Sequence, residues 1–431
     1  MSKHPRLFAL LLLGKMVLSA ASNPPAKDLA EVKGELVGFS SERLQLLETA
    51  MQKLIDDGQL AGSVVMLARH GKVVEFKAQG KKDLSSGEPM QKDSIFRIYS
   101  MTKPITAAAM MILYEEGKWN PEDPLSKYIP EFASLKVLKG VDKDSSSILE
   151  DPLHPPTIGE LMTHTAGFTY GFFGKTAVDK SYMDRGVWSS QSLQEMIGKL
   201  AAIPLLYQPG TRWVYSISVD IQGYLVEKLS GKSLPDFMRD RIFTPLNMRD
   251  TGFYVPENKR GRFTAVYQAD EKGKLGDAKG PDYASSPAMP SGGGGLVSTA
   301  ADYMRFAQML LNGGELNGTR ILAPSSIRLM TGNHLAPALM TGEFGIGFQR
   351  IRPGFGYGYD VAVFTDPILA GSPAGKGTFL WDGAAGTWFW VDPASDIVFV
   401  GMIQRMLSEK SPNLQHLSRA LTFQALLAAE K

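Results

Sequence analysis

Ser100-Met101-Thr102-Lys103 is the only Ser-x-x-Lys in the chain. Three residues apart on a helix, two side chains share a face, so the amine of Lys103 can reach the hydroxyl of Ser100 and activate it as a nucleophile. A lysine serves as a base only when neutral. Lowering its pKa from about 10.4 to 7–8 takes about 4 kcal/mol of burial and neighbouring positive charge. A helix starting at Ser100 supplies part of that bias and aims backbone N–H groups at a developing oxyanion. By itself the tetrapeptide also describes a serine N-cap followed by a solvated lysine.

Other chemistries have less to stand on. The 431 residues include no cysteine, which removes thiolate nucleophiles, disulfides, Cys-based zinc sites and iron–sulfur clusters together. HExxH, GxxxxGK[ST] and GxSxG are all missing, so the zincin, P-loop and α/β-hydrolase readings lose their main support. The histidines are His4, His70, His154, His164, His334 and His416, none with a partner at metal-ligand spacing. No metal or organic cofactor is expected. A Ser-His-Asp triad through His154 or His164 is open by arithmetic, although a helix-end hydrogen bond is the plainer expectation for His164. Residues 292–295 (Gly-Gly-Gly-Gly) and 354–358 (Gly-Phe-Gly-Tyr-Gly) read as flexible turns, because neither is framed as a dinucleotide site requires.

The elements that must position Ser100 and Lys103 follow from periodicity and capping. Ser40 or Ser41 opens a helix with Leu44, Leu47, Met51, Leu54 and Ile55 on one face, and Gly58 closes it. Residues 63–68 and 72–78 flank the turn Arg69-His70-Gly71 as a hairpin. A helix is expected over 101–116, with Pro104 tolerated in its first turn and Gly117 as its end. Helical patterns recur at 157–164, 190–202, 216–229 and 233–243. Between them, 165–188 is a loop rich in glycine and aromatics (Phe168, Tyr170, Phe172, Phe173, Tyr182) that suits a lid. Ser298 is the expected N-cap of a helix bearing Met304, Phe306, Met309 and Leu310. Strands follow at 378–381, 387–391 and 397–403, then an amphipathic helix over 412–430.

At about 150 residues per domain the length allows roughly three domains. The element order instead suggests an α+β fold with an antiparallel sheet flanked by helices. Residues 22–135 and 290–431 would form one discontinuous domain, and 136–289 an inserted, mostly helical one. Forty-six Lys and Arg against 44 Asp and Glu leave +2, without a basic stripe, so nucleic acid and anionic membranes are not expected partners. Lys3, His4 and Arg6, an apolar run over 7–13 and Ser19-Ala20-Ala21 make 1–21 an expected signal peptide, interrupted by Lys15. A secreted or periplasmic location follows from a cleaved leader, and a cytoplasmic one if the segment is instead a soluble N-terminal arm. Cleavage after Ala21 would remove Lys3, Arg6 and Lys15, turning +2 into −1. The apolar run is far shorter than the roughly 20 residues of a spanning helix, and no membrane span is expected.

Several short motifs come in a fixed order: Ser100-Met101-Thr102-Lys103 entering Pro-Ile-Thr-Ala-Ala, 162–167 (Met-Thr-His-Thr-Ala-Gly), 208–216 (Gln-Pro-Gly-Thr-Arg-Trp-Val-Tyr-Ser), 292–298, and Trp381-Asp382-Gly383. From about residue 40 to the C-terminus this series resembles the serine β-lactamase and penicillin-binding superfamily. It is closest to class C β-lactamases and, within them, to the family VIII carboxylesterases. The resemblance implies that Ser100 is the acyl-accepting nucleophile, Lys103 its neighbouring base, and Tyr215 the tyrosine that shuttles the proton to the leaving group. It also implies an oxyanion hole from the N–H groups of Ser100 and Ala384, with Gly383 letting the backbone approach. Trp381, Asp382 and Gly383 would contact substrate, and Tyr170 and Phe172 would wall its acyl side.

Two departures shift the expected substrate. Trp381 stands where β-lactamases carry a cationic lysine, and Ile217 where the tyrosine motif usually carries Asn. Both remove polar recognition of a lactam's amide and carboxylate, which points to a small-molecule ester with an apolar acyl group. Side activity on β-lactams stays open, because the acylation chemistry is shared. The rival readings are a β-lactamase or D-Ala-D-Ala peptidase, and a non-catalytic homologue that binds peptidoglycan or a protein. Monomer and dimer are equally compatible with the sequence.

Overall fold

Ser40 caps the first helix. Its hydroxyl accepts the Arg43 N–H at 3.2 Å, a contact worth about 1 kcal/mol, and α1 runs Ser41–Asp56 with Leu44, Leu47 and Met51 buried. The computed structural model describes residues 29–144, 147–340, 345–346, 349–350 and 352–427. The expected signal peptide over 1–21 lies outside the described residues, and the helix expected over 412–430 is shorter, Leu414–Phe423, because the chain after it turns to pair Leu426 with Phe39.

The hairpin forms as expected, from β1 (Gly62–Arg69) and β2 (Lys72–Gly80). His70 and Gly71, both at positive φ, make the tight turn whose twist suits a two-residue hairpin. Five later strands complete the sheet: β3 (Phe355–Tyr357), β4 (Ala362–Phe364), β5 (Phe379–Asp382), β6 (Trp388–Asp392) and β7 (Ile397–Met402). Their order is β3-β4-β5-β6-β7-β1-β2, with every neighbouring pair antiparallel. The β7–β1 ladder, from Val64↔Met402 to Arg69↔Ile397, stitches distant parts of the chain into one sheet.

Alternation along β6 sorts its side chains to two helical layers. Trp388 and Trp390 each donate an indole N–H to Ser418 Oγ at 3.1 Å, on the final helix Leu414–Phe423. Phe389 faces the other way, its ring 5.1 Å from Tyr303 on the helix Ala300–Leu311. Behind that second layer lies α2 (Thr102–Glu115), buried from Thr102 to Leu113 and packed against the helix Ser218–Ser230. A helix apolar on all sides belongs in a core, and the Ser-x-x-Lys stands at its start.

Four expectations are corrected here. The run 354–358 is not a free turn, since its middle is strand β3. Its glycine at 356 lets Asn333 lie against the backbone, where Oδ1 accepts the Tyr357 N–H at 3.0 Å. The loop 165–188 contains a helix, Ala177–Asp184, opened by a capping box between Thr176 and Asp179. Aspartate in the third helical position, after a glycine-rich stretch, hid it. Thr299, not Ser298, caps the helix Ala300–Leu311 by accepting the Asp302 N–H at 3.2 Å, while Ser298 pairs with Phe96 in a two-strand ladder. The stretch read as mostly helical also carries two hairpins, Val137–Val141 with Ser147–Glu150 and Tyr267–Ala269 with Leu275–Asp277.

Candidate active site

Ser100 sits on a single 3-10 turn, Tyr99–Met101, that leads directly into α2. Tyr99 holds φ +41°, an uncommon conformation for a bulky residue that costs on the order of 1–3 kcal/mol. Neighbouring chain pins the turn. The Ile98 N–H donates to the Leu296 carbonyl and the Leu296 N–H to Thr102 Oγ1, both at 3.1 Å, and Tyr303 OH donates to the Met101 carbonyl at 2.9 Å.

Lys103 is fully buried, and its Nζ donates to three oxygens: Ser100 Oγ at 3.3 Å, Tyr170 OH at 2.8 Å and the Gly293 carbonyl at 2.5 Å. These match the three donors of an ammonium group one for one. Tyr215 OH donates to Ser100 Oγ at 2.7 Å, and the Lys103 amine lies 4.7 Å from the Tyr215 ring centroid. The structure therefore brings Ser100, Lys103 and Tyr215 together, within hydrogen-bond reach of one oxygen.

The glycines at 292–295 are not merely a flexible turn. Asp220, buried in the first turn of the helix Ser218–Ser230, accepts the Gly293 N–H at 3.1 Å and the Ser291 hydroxyl at 2.5 Å. A Cβ on Gly293 would stand 2.6 Å from Asp220 Oδ2, so only glycine lets this peptide come close enough to offer its carbonyl to Lys103. Burial raises the Asp220 pKa, with Lys103 pulling it back. Asp220 and Gly293 went unrecognised as site residues in the sequence. The available signal was an aspartate five residues after Tyr215, in the first turn of the next helix, and a glycine run lacking any partner motif.

The expected substrate contacts divide. Tyr170 is buried, with its hydroxyl taken by Lys103, its ring stacked 5.4 Å from Trp188, and its pKa raised well above 10 by burial. Phe172 and Phe173 are 52% and 44% exposed, and their rings lie 5.1 and 5.6 Å from that of Tyr170. They form an aromatic wall beside the cluster. Trp381 is buried, 5.5 Å from the Tyr215 ring. Asp382 points to the opposite face of β5: it accepts from Gln415 Nε2 at 2.5 Å, and burial raises its pKa. Gly383 lets the strand end close upon the Ser100 turn, because a Cβ there would collide with the Ile98 carbonyl. Ala384 follows, its carbonyl accepting the Leu407 N–H at 2.8 Å. His164 is not a triad partner of Ser100. It is buried, its Nδ1 lies 3.0 Å from Ser216 Oγ, and burial and Lys103 push its pKa well below 6.5. His154 is paired with Glu160 at 3.4 Å.

Among the described residues, no three His, Asp or Glu side chains converge as a metal site, and no helix is long and apolar enough to cross a membrane.

A family model described as Beta-lactamase matches residues 47–423. Protein Rv1367c of Mycobacterium tuberculosis is 36% identical over 366 residues, covering 83% of this chain and 89% of that protein. Esterase EstB of Burkholderia gladioli is 31% identical over 367 residues, covering 81% and 87%. Among solved structures, EstCE1, a hydrolase with promiscuous acyltransferase activity, superposes with a TM-score of 0.74 at 27% identity, covering 89% of this chain and 98% of that one.

Proposed function

The chain belongs to the β-lactamase family, and we propose that within it the protein is a serine carboxylesterase that forms an acyl-enzyme on Ser100. The observation that carries this reading is the meeting of Lys103 Nζ and Tyr215 OH on one Ser100 oxygen, at 3.3 and 2.7 Å. Geometry of this kind lets a proton leave the hydroxyl as it attacks.

In the reactive form the Lys103–Tyr215 pair is one proton short, with a neutral amine or a phenolate, so Ser100 Oγ adds to the ester carbonyl carbon while its own proton passes to that pair. The Ser100 and Ala384 N–H groups receive the charge that develops on the carbonyl oxygen. The tetrahedral adduct collapses, and Tyr215 returns the proton to the departing alkoxide, leaving an ester on Ser100. Water then attacks that ester, the same pair takes its proton, and Ser100 leaves as a hydroxyl with release of the acid.

Substrate class follows from the surroundings. Phe172 and Phe173 offer an exposed apolar wall, and Trp381 borders Tyr215 without supplying a positive charge. Short- to medium-chain esters fit this surface better than a lactam carboxylate, so β-lactam hydrolysis is a minor activity. EstB and EstCE1 are esterase and hydrolase by description, which supports the same choice. The N-terminal pattern supports export, checked by sequencing the N-terminus of the protein from a periplasmic fraction.

The test compares turnover of a short p-nitrophenyl ester with that of a chromogenic cephalosporin, alongside fluorophosphonate labelling. Strong ester preference and labelling that Ser100→Ala abolishes are expected. Preference for the cephalosporin would make the protein a β-lactamase, and absence of both turnover and labelling would make it a binding homologue.

A further inference from the structure

Among the described non-glycine residues, positive φ occurs at seven positions. Four of them (His70, Asn247, Asn317 and Asp396) sit in exposed or half-buried turns. Tyr99 precedes Ser100. The other two, His164 (φ +58°) and Asp360 (φ +59°), are fully buried and stand beside each other. Strain held in a buried pair next to a reacting centre points to a role there.

The two residues are tied through backbone and side chain. The Asp360 N–H donates to the Met162 carbonyl at 3.2 Å, two residues before His164. His164 Nε2 lies 3.7 Å from Asp360 Oδ1, and neither atom has a direct hydrogen bond. That gap is too long for a formed bond, and a few tenths of an ångström would close it. On its other side, His164 Nδ1 accepts the Ser216 N–H at 3.2 Å, and the His164 carbonyl accepts the Val214 N–H at 2.9 Å. Both contacts flank Tyr215, whose ring lies 5.1 Å from the imidazole.

A ring nitrogen that accepts an N–H carries the lone pair, so the neutral ring bears its proton on Nε2, the nitrogen facing Asp360. Burial and the Lys103 charge hold His164 well below 6.5, in agreement with a neutral ring. Burial holds Asp360 well above the ordinary carboxylate range, with Lys103 and Gln222 opposing. Tyr215 and Tyr357 are the remaining titratable groups packed on the imidazole.

We propose that His164 and Asp360 form a buried positioning pair for Tyr215: Asp360 takes the His164 Nε2–H, which orients the ring so that Nδ1 holds the Ser216 backbone and sets the Tyr215 hydroxyl on Ser100. The pair touches no substrate. It rests on the reading of Tyr215 as the proton shuttle to Ser100.

Asp360→Ala removes the acceptor, whereas Asp360→Asn keeps one and tolerates positive φ. Both are compared with the parent enzyme in p-nitrophenyl ester kinetics, in the rate of fluorophosphonate labelling at Ser100, and in thermal melting. Asp360→Ala is expected to lower kcat about tenfold or more with KM within about twofold, and to slow labelling in proportion. Asp360→Asn should retain most of the parental kcat. Parental kcat and labelling in Asp360→Ala would overturn the pair, as would an Asp360→Asn as impaired as the alanine. If Asp360→Ala does not fold, His164→Asn, whose amide oxygen falls near the Nδ1 position, supplies the test. It should keep KM and lose kcat, and an unchanged kcat overturns the proposal. A parent enzyme that neither turns over ester nor is labelled at Ser100 fails before any variant is compared, and that result defeats the proposed function itself.

Discussion

Two polar clusters in this protein, one half-buried and one fully buried, are built on opposite rules. In one, Asp250 and Asp302 meet cations directly: Asp250 pairs with Arg262 and with Lys259 at 2.9 Å, and Asp302 with Arg305 at 3.1 Å. Asp302 also accepts the Asp250 N–H at 2.7 Å and the Thr251 hydroxyl at 3.0 Å. In the other, Lys103 donates to neutral oxygens of Ser100, Tyr170 and Gly293, while Asp220 acts on it through the Gly293 peptide. The Asp250 carboxylate, held below the ordinary range by Arg262 and Lys259 against the opposing effect of burial, cannot lose its charge without breaking those pairs, which suits a joint between segments. A cation held by neutral acceptors can exchange a proton with its neighbours and leave the frame standing. The first arrangement serves stability and the second serves chemistry.

The contrast predicts that damage to the two clusters separates activity from stability. The largest effect is at Lys103: Lys103→Ala should lower kcat/KM by about 10³-fold or more while thermal melting shows a folded protein. A variant with near-parental turnover would break the comparison. Next is Tyr215→Phe, which keeps the ring packing and removes the hydroxyl on Ser100. A loss of about 10²–10³-fold in kcat is expected, and a loss confined to KM would move Tyr215 from proton transfer to binding.

The ion-pair cluster should behave the other way. Asp302→Ala takes one carboxylate from Arg305 and the acceptor from the Asp250 N–H and the Thr251 hydroxyl, at a cost of about 3 kcal/mol in urea unfolding. Its kcat per folded molecule should stay within about twofold of the parent's. The smallest effect concerns pH. Burial raises the Asp302 pKa from 3.8 to about 6 in the folded protein. The folded state therefore binds this proton more tightly than the unfolded one. The resulting stability is complete below about pH 4 and is lost as pH rises through about 6. Asp302→Asn has no such proton, so it should gain about 2 kcal/mol on the parent between about pH 4 and 7. Urea midpoints that run parallel across that range would contradict the assignment.

Much of the frame was legible because it is local. Ser40 at a cap, the His70-Gly71 turn and the three long strands after residue 378 declare themselves through capping chemistry, turn residues and apolar runs. Strands β3 and β4 did not, because three residues at a sheet edge, one strand centred on a glycine, carry too little period to read. Strand β5 was legible, yet which of Trp381 and Asp382 faces Tyr215 depended on the layers packed against the sheet.

At the site the same division holds. Ser100 and Lys103 lie three residues apart, and a helix alone is enough to place the amine beside the hydroxyl. The remaining partners of Lys103 come from 67 and 190 residues away, and no local spacing records that Tyr170 and the Gly293 carbonyl will close around an amine. The sequence by itself determined the Ser100–Lys103 neighbourhood and the helical start that carries it, because bonded geometry and propensity act over a few residues. Only the tertiary structure decided what surrounds that lysine and which buried pair stands behind Tyr215, because those contacts arise when α2 is enclosed on all sides by segments far apart in the chain.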